Sequence, residues 1–122
     1  MATIMIVDDS NFTRRTHRRI VESEGHVVHE ATSGMAAIEG FFVHRPDLVL
    51  LDLTMEDMSG FDVLEQLRAL NAGARVIVVS ADVQRSTAKL VAASGAIRFL
   101  GKPVSPEDLR EAVRDALAQG TP

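Results

Sequence analysis

Three carboxylates, Asp8, Asp9 and Asp52, one hydroxyl, Ser80, and one amine, Lys102, each stand within two residues of the end of a short apolar run. Each type has a use in phosphoryl chemistry, where catalysis is mostly positioning and charge neutralisation. A hard cation such as Mg²⁺ takes oxygen ligands and is commonly held by one or two carboxylates, with waters and phosphate oxygens completing its shell. Asp8, Asp9 and Asp52 can supply such ligands, and their mutual repulsion makes a cation welcome among them. An amine offers a compact positive charge to phosphoryl oxygens, and a hydroxyl can donate a hydrogen bond to one. A carboxylate can itself be the nucleophile, giving an aspartyl phosphate.

Single residues of these types are common on surfaces, so the elements that position them decide the matter. Four runs, 3–7 (TIMIV), 48–51 (LVLL), 76–79 (VIVV) and 97–100 (IRFL), are apolar without alternation, as strands covered on both faces of a parallel sheet are. A fifth, 26–30 (HVVHE), mixes polar and apolar residues and reads as an edge strand. Between them lie segments of helical spacing. Residues 10–24 are closed by Gly25, 34–44 stop before Pro46, 61–70 run into Asn71 and Gly73, and 81–94 are closed by Gly95. In the last helix Ser105 caps, Pro106 takes the first position and Asp108 stands where a capping box has its acid. Alternation of this kind predicts a doubly wound α/β fold with right-handed crossovers. In such a sheet ligands bind beyond the carboxyl ends of the strands, where all five reactive residues fall.

Composition limits the alternatives. A chain of 122 residues fits one domain, and a domain of this size buries roughly two-thirds of the surface that its unfolded form exposes. A formal charge of -4 at pH 7 argues against direct nucleic-acid binding, which needs a basic face. Cysteine is absent, so disulfides, thiolate nucleophiles and cysteine metal sites are excluded. No apolar run approaches the roughly 20 residues that span a bilayer, and Met1 leads into no basic start, so a cytoplasmic protein is expected.

In their order and spacing these residues carry a resemblance. Asp8-Asp9, then LVLLDLTM with Asp52, VVSAD with Ser80, and FLGKPVSPEDL with Lys102-Pro103 resemble the receiver domain of two-component response regulators, from about residue 3 to 118. The resemblance implies a flavodoxin-like, doubly wound five-stranded parallel sheet of order 2-1-3-4-5 with five helices, an order taken from the family. It implies a receiver domain over 1–119, with 120–122 a tail or the start of a linker. Asp52 would be the phosphoacceptor for a sensor histidine kinase or histidine phosphotransfer domain. Asp8, Asp9, Asp52 and the backbone carbonyl of Thr54 would hold Mg²⁺ or Mn²⁺. Ser80 and Lys102 would bind the phosphoryl group, Phe99 would be the aromatic switch, and Pro103 would follow a cis bond that aims the lysine inward.

The protein would then be a signalling switch and not an enzyme, beyond catalysing its own phosphorylation and dephosphorylation. Its face of helix 4, strand 5 and helix 5 would meet a downstream protein, with the molecule a monomer or a weak phosphorylation-dependent dimer. Alternatives are a phosphorelay intermediate, a receiver cut from a longer regulator, and a phosphohydrolase of the haloacid dehalogenase type. Thr54 speaks against the last, because most such hydrolases have a second Asp there.

The remaining acids and bases are weighed separately. Glu56 stands where receivers commonly have proline, so the loop loses a fixed φ and gains a charge; a solvent-facing acid is favoured over one reaching the metal's water shell. Asp82 is a second candidate modulator, and Asp57 reads as loop surface. Arg14, Arg15, His17, Arg18 and Arg19 form a basic run, read as a solvated face or a guide for an acidic partner. His26, His29 and His44 lack metal-ligand spacing, and Met35, Met55 and Met58 read as packing residues.

Overall fold

Alternate residues of a strand point to opposite faces, so an all-apolar strand needs cover on both. In the computed structural model, which describes residues 1–119, β1 (Thr3–Val7) meets that need in full. Its Ile4 and Ile6 enter one apolar core with Leu48, Leu50, Ile77 and Leu109. Its Met5 and Val7 enter another with Val49, Leu51, Val63 and Leu67. β3 (Leu48–Asp52) and β4 (Val76–Ser80) are buried along their whole length, whereas β2 (Val27–Ala31) is buried only at Val28 and Ala31. β5 (Arg98–Gly101) closes the opposite edge. The sheet is parallel, in the order β2-β1-β3-β4-β5.

α1 (Asn11–Ser23) and α5 (Pro106–Ala118) cover the first core, and α2 (Gly34–His44) and α3 (Gly60–Leu70) the second. α4 (Arg85–Ala93) lies over a smaller third cluster of Leu53, Val78 and Val91. Serine side chains cap four helices: Ser10, Ser33, Ser59 and Ser105 each accept from the amide three residues on. α4 has Gln84 at that place and no side-chain cap bond. α1 and α4 end on Gly25 and Gly95, whose φ of 88° and 91° favours glycine.

The expected architecture is present, with local corrections. α4 starts at Arg85 and not at residue 81, because the Asp82 carboxylate accepts from the Gln84 amide (3.1 Å) and the Thr87 hydroxyl (2.7 Å), folding 81–84 into a turn. β3 and β4 each run one residue further, so that Asp52 and Ser80 are strand residues. The edge strand β2 and β5 sit one residue later than expected. Met55 is buried and Met58 packs against the second core, but Met35 is 65% exposed and no packing residue. The proposed tail or linker, 120–122, lies outside the described residues.

Candidate functional site

Register sets the site. Val7 is level with Leu51 across β1 and β3, so Asp8 emerges beside Asp52, and Ser80 is level with Gly101, one residue before Lys102. β1 and β3 flank the point where the sheet changes direction, the usual position of a ligand crevice. One carboxylate oxygen from each of Asp8, Asp9 and Asp52 falls within 4.8 Å of the others. Asp8 and Asp52 are buried and Asp9 is exposed. The Lys102 amine reaches into this cluster, 2.8 Å from Asp8 Oδ2 and 3.4 Å from Asp52 Oδ1.

The electrostatics follow from that crowding. Burial, and then the charge of Asp8, push the Asp52 carboxyl above its ordinary value; the charge of Lys102 and the Thr54 amide offset this in part. Burial alone would lower the Lys102 amine, but hydrogen bonding to Asp8 and the charges of Asp52 and Asp8 hold it above its ordinary value. Two buried carboxylates against one cation leave an excess of negative charge, so the donor set fits a hard divalent ion.

The other expected residues divide. Ser80 is 1% exposed; its hydroxyl oxygen accepts from the Asp82 amide at 3.0 Å and keeps its proton for donation. Its carbonyl accepts from the Lys102 amide at 2.8 Å, fixing the two against each other. The Lys102-Pro103 bond is cis. Thr54 and Glu56 lie exposed on the loop after β3, and Glu56 makes no side-chain hydrogen bond or ion pair among the described residues. Phe99 is half-buried, level with Val78 and packed on the cluster beneath α4. Asp82 faces α4 and not the acidic cluster.

Two expectations need correction. The basic run is no uniformly solvated face: Arg14 and His17 are buried, 8% and 6% exposed, while Arg15 and Arg19 face solvent. Arg14 pairs with Glu30 (2.9 Å) and donates to the Asp8 carbonyl (2.7 Å), so it braces the site from behind. Helical spacing held the signal, since Arg14, His17, Ile20 and Val21 share one stripe. Burial lowers the His17 imidazole below its ordinary value, Asp8 opposing and Lys102 assisting. Asp57 is also more than loop surface, because its carboxylate accepts from two amides of α2. His29 and His44, which lack metal-ligand spacing in the sequence, stack with ring centroids 3.7 Å apart. An apolar cleft opens beside the lysine, lined by Phe12, Thr16, His17, Pro103 and Val104, with Phe12 77% exposed at its rim.

An open parallel sheet with acids, a hydroxyl and an amine gathered at its carboxyl edge defines a phosphoryl-handling α/β domain. The family of response regulator receiver domains matches this sequence over residues 4–114. The chain is 37% identical to the chemotaxis protein CheY of Bacillus subtilis over 115 residues, 93% of this chain and 96% of that one. It superposes with a TM-score of 0.91 on CheY in the CheX-CheY-BeF3-Mg complex of Borrelia burgdorferi, at 31% identity, covering 96% of this chain and 90% of that one. Response regulator TrrA of Thermotoga maritima, solved with Mg²⁺ and BeF, gives a TM-score of 0.87 at 28% identity, covering 96% of this chain and all of that one. The chain belongs to the response regulator receiver family and is a phospho-accepting signalling switch. The phosphohydrolase alternative is not favoured. No helix among the described residues is long and apolar enough to cross a membrane.

Proposed function

We propose that Asp52 is the phosphoacceptor of this switch, with Lys102 and Ser80 binding the phosphoryl group. The Lys102 amine, lodged between Asp8 and Asp52, carries the reading: it is the half-buried cation in reach of both carboxylates among the described residues. A carboxylate oxygen of Asp52 attacks phosphorus, a P–O bond forms, and the P–N bond to the donor histidine breaks. Lys102 then turns its charge from Asp8 to a phosphoryl oxygen, and the Ser80 hydroxyl donates to another. Asp8, Asp9 and the Thr54 carbonyl would hold Mg²⁺ or Mn²⁺, which when bound neutralises charge on the phosphoryl oxygens. Hydrolysis returns free phosphate and the Asp52 carboxylate, the only turnover the domain performs. Glu56 and Asp82 act at most as modulators, Asp82 through its hold on the start of α4.

The partners follow from the same reading. A histidine kinase or phosphotransfer domain approaches over the cleft beside Phe12 and Pro103. α4 lacks a side-chain cap, which supports its being the element that moves. Drawing Ser80 toward the phosphoryl group vacates space for Phe99 to turn inward, and the α4, β5, α5 face then presents a changed surface to a downstream protein. A cytoplasmic monomer, or a weak dimer when phosphorylated, with the receiver unit running through residue 119, fits this role. The test is incubation with Mg²⁺ and acetyl phosphate, followed by intact mass. One phosphoryl group is expected on the wild type and none on Asp52→Asn; no gain, or an equal gain in the variant, refutes the assignment.

A further inference from the structure

Asp57 is committed to a helix that is not its own. Its carboxylate accepts from the Gly34 amide at 2.9 Å and the Met35 amide at 3.0 Å, while Ser33 Oγ accepts from the Ala36 amide at 3.1 Å. α2 has no acid in its first turn, so two of its orphan amides and its positive end are served by a carboxylate 23 residues further along the chain. Those two backbone bonds, Gly34 first, hold the Asp57 carboxyl below its ordinary value. Beside them Met58 lies so close to Gly34 that a Cβ there would collide with it.

This tether sits in the loop between β3 and α3, which also carries Thr54 and Glu56. The loop is also fixed by the Gly60 amide, which donates to the Leu53 carbonyl at 2.8 Å, by buried Met55 and by Met58 against the second core, none of which engages the amides of α2. Glu56 brings no fixed φ to the segment between Met55 and Asp57. Resting on the reading of Asp52 and the Thr54 carbonyl given above, we propose that Asp57 is a positioning residue for metal-dependent phosphoryl uptake at Asp52. By clamping the loop to the N-terminus of α2 it holds the Thr54 carbonyl in place, and it supplies the rigidity that residue 56 does not.

The experiment compares wild type, Asp57→Ala, Asp57→Asn and Ser33→Ala by Mg²⁺ titration calorimetry, thermal melting and the rate of phosphoryl gain from acetyl phosphate. Asp57→Ala should weaken Mg²⁺ binding about tenfold, the lower end of what loss of a ligand-orienting partner costs. Its uptake rate should fall at low Mg²⁺ and recover at saturating Mg²⁺. Asp57→Asn, whose single amide oxygen can keep one of the two bonds, should recover only part of the affinity. Ser33→Ala uncaps the same helix without touching the loop, and should lower the melting temperature while leaving Mg²⁺ affinity unchanged. Wild-type Mg²⁺ affinity in Asp57→Ala, or equal weakening in Ser33→Ala, overturns the positioning role alone. A wild type that gains no phosphoryl group at Asp52 removes the receiver reading and the positioning role together.

Discussion

Replacing Arg14 by Met tests whether the first helix braces the site or merely decorates the surface. The methionine keeps an apolar stem but loses the ion pair with Glu30 at 2.9 Å and the bond to the Asp8 carbonyl at 2.7 Å. Glu30 keeps Arg18 as a partner, so it is not left as a lone charge. The Asp8 carbonyl loses its guanidinium donor, and an unsatisfied buried acceptor costs about 1–3 kcal/mol. Charge-assisted bonds contribute roughly 1.5–3 kcal/mol each, so a net loss of about 3 kcal/mol is expected. With an unfolding entropy of roughly 2.1 cal/mol/K per residue, that lowers the melting temperature by about 12 °C for a chain this long. Urea denaturation at pH 7 should show the midpoint falling with the m-value unchanged. A double-mutant cycle with Glu30→Gln should return a coupling of about 1 kcal/mol. A loss within about 0.5 kcal/mol, the range of inert surface changes, would mean that the guanidinium is solvated and the bracing argument wrong.

Three further outcomes follow from the same contacts. Hydrogen bonding to Arg18, and then to Arg14, depresses the Glu30 carboxyl below its ordinary 4.5, so its stabilisation is complete above that value and lost as pH falls through the folded one. The stability gap between wild type and Glu30→Gln should therefore narrow as pH falls below 4.5 and close in strong acid, and a gap that persists there counts against the pairing. Asp52 has a raised value and costs stability once ionised, so Asp52→Asn at neutral pH without divalent ions should unfold at higher urea than wild type, an advantage that Mg²⁺ abolishes. Gly60→Ala would set a Cβ 2.6 Å from the Asp52 carbonyl and from Leu53 Cα, and should cost about 1–3 kcal/mol and slow phosphoryl uptake, whereas Gly73→Ala, with nothing nearer than 3.4 Å, should be nearly silent in both measurements.

What could be read before folding was whatever local chemistry dictates. TIMIV, LVLL and VIVV are apolar on both faces and lie in covered strands, and Ser105, the serine read as a cap, caps α5. The order of the reactive residues along the chain was enough to bring them to one edge. Partner choice across the fold was not legible. Asp57 looks like any loop acid until α2 arrives beside it, and Arg14 looks solvated until Glu30 on β2 closes over it. Residues 81–84 read as helix because nothing in their own spacing reveals that the Asp82 carboxylate turns back onto Thr87.

The contact between Lys102 and Asp8 joins residues 94 apart, through the last strand in the chain. Synthesis delivers the N-terminal strands first. When a nascent chain has delivered β1 and β3, the segment that carries Lys102 has yet to be made. On the role proposed for Asp52, neither the Lys102 amine nor the Ser80 hydroxyl is then available to a phosphoryl group. On that reading, competence to be signalled to waits for the last strand, at the end of biosynthesis.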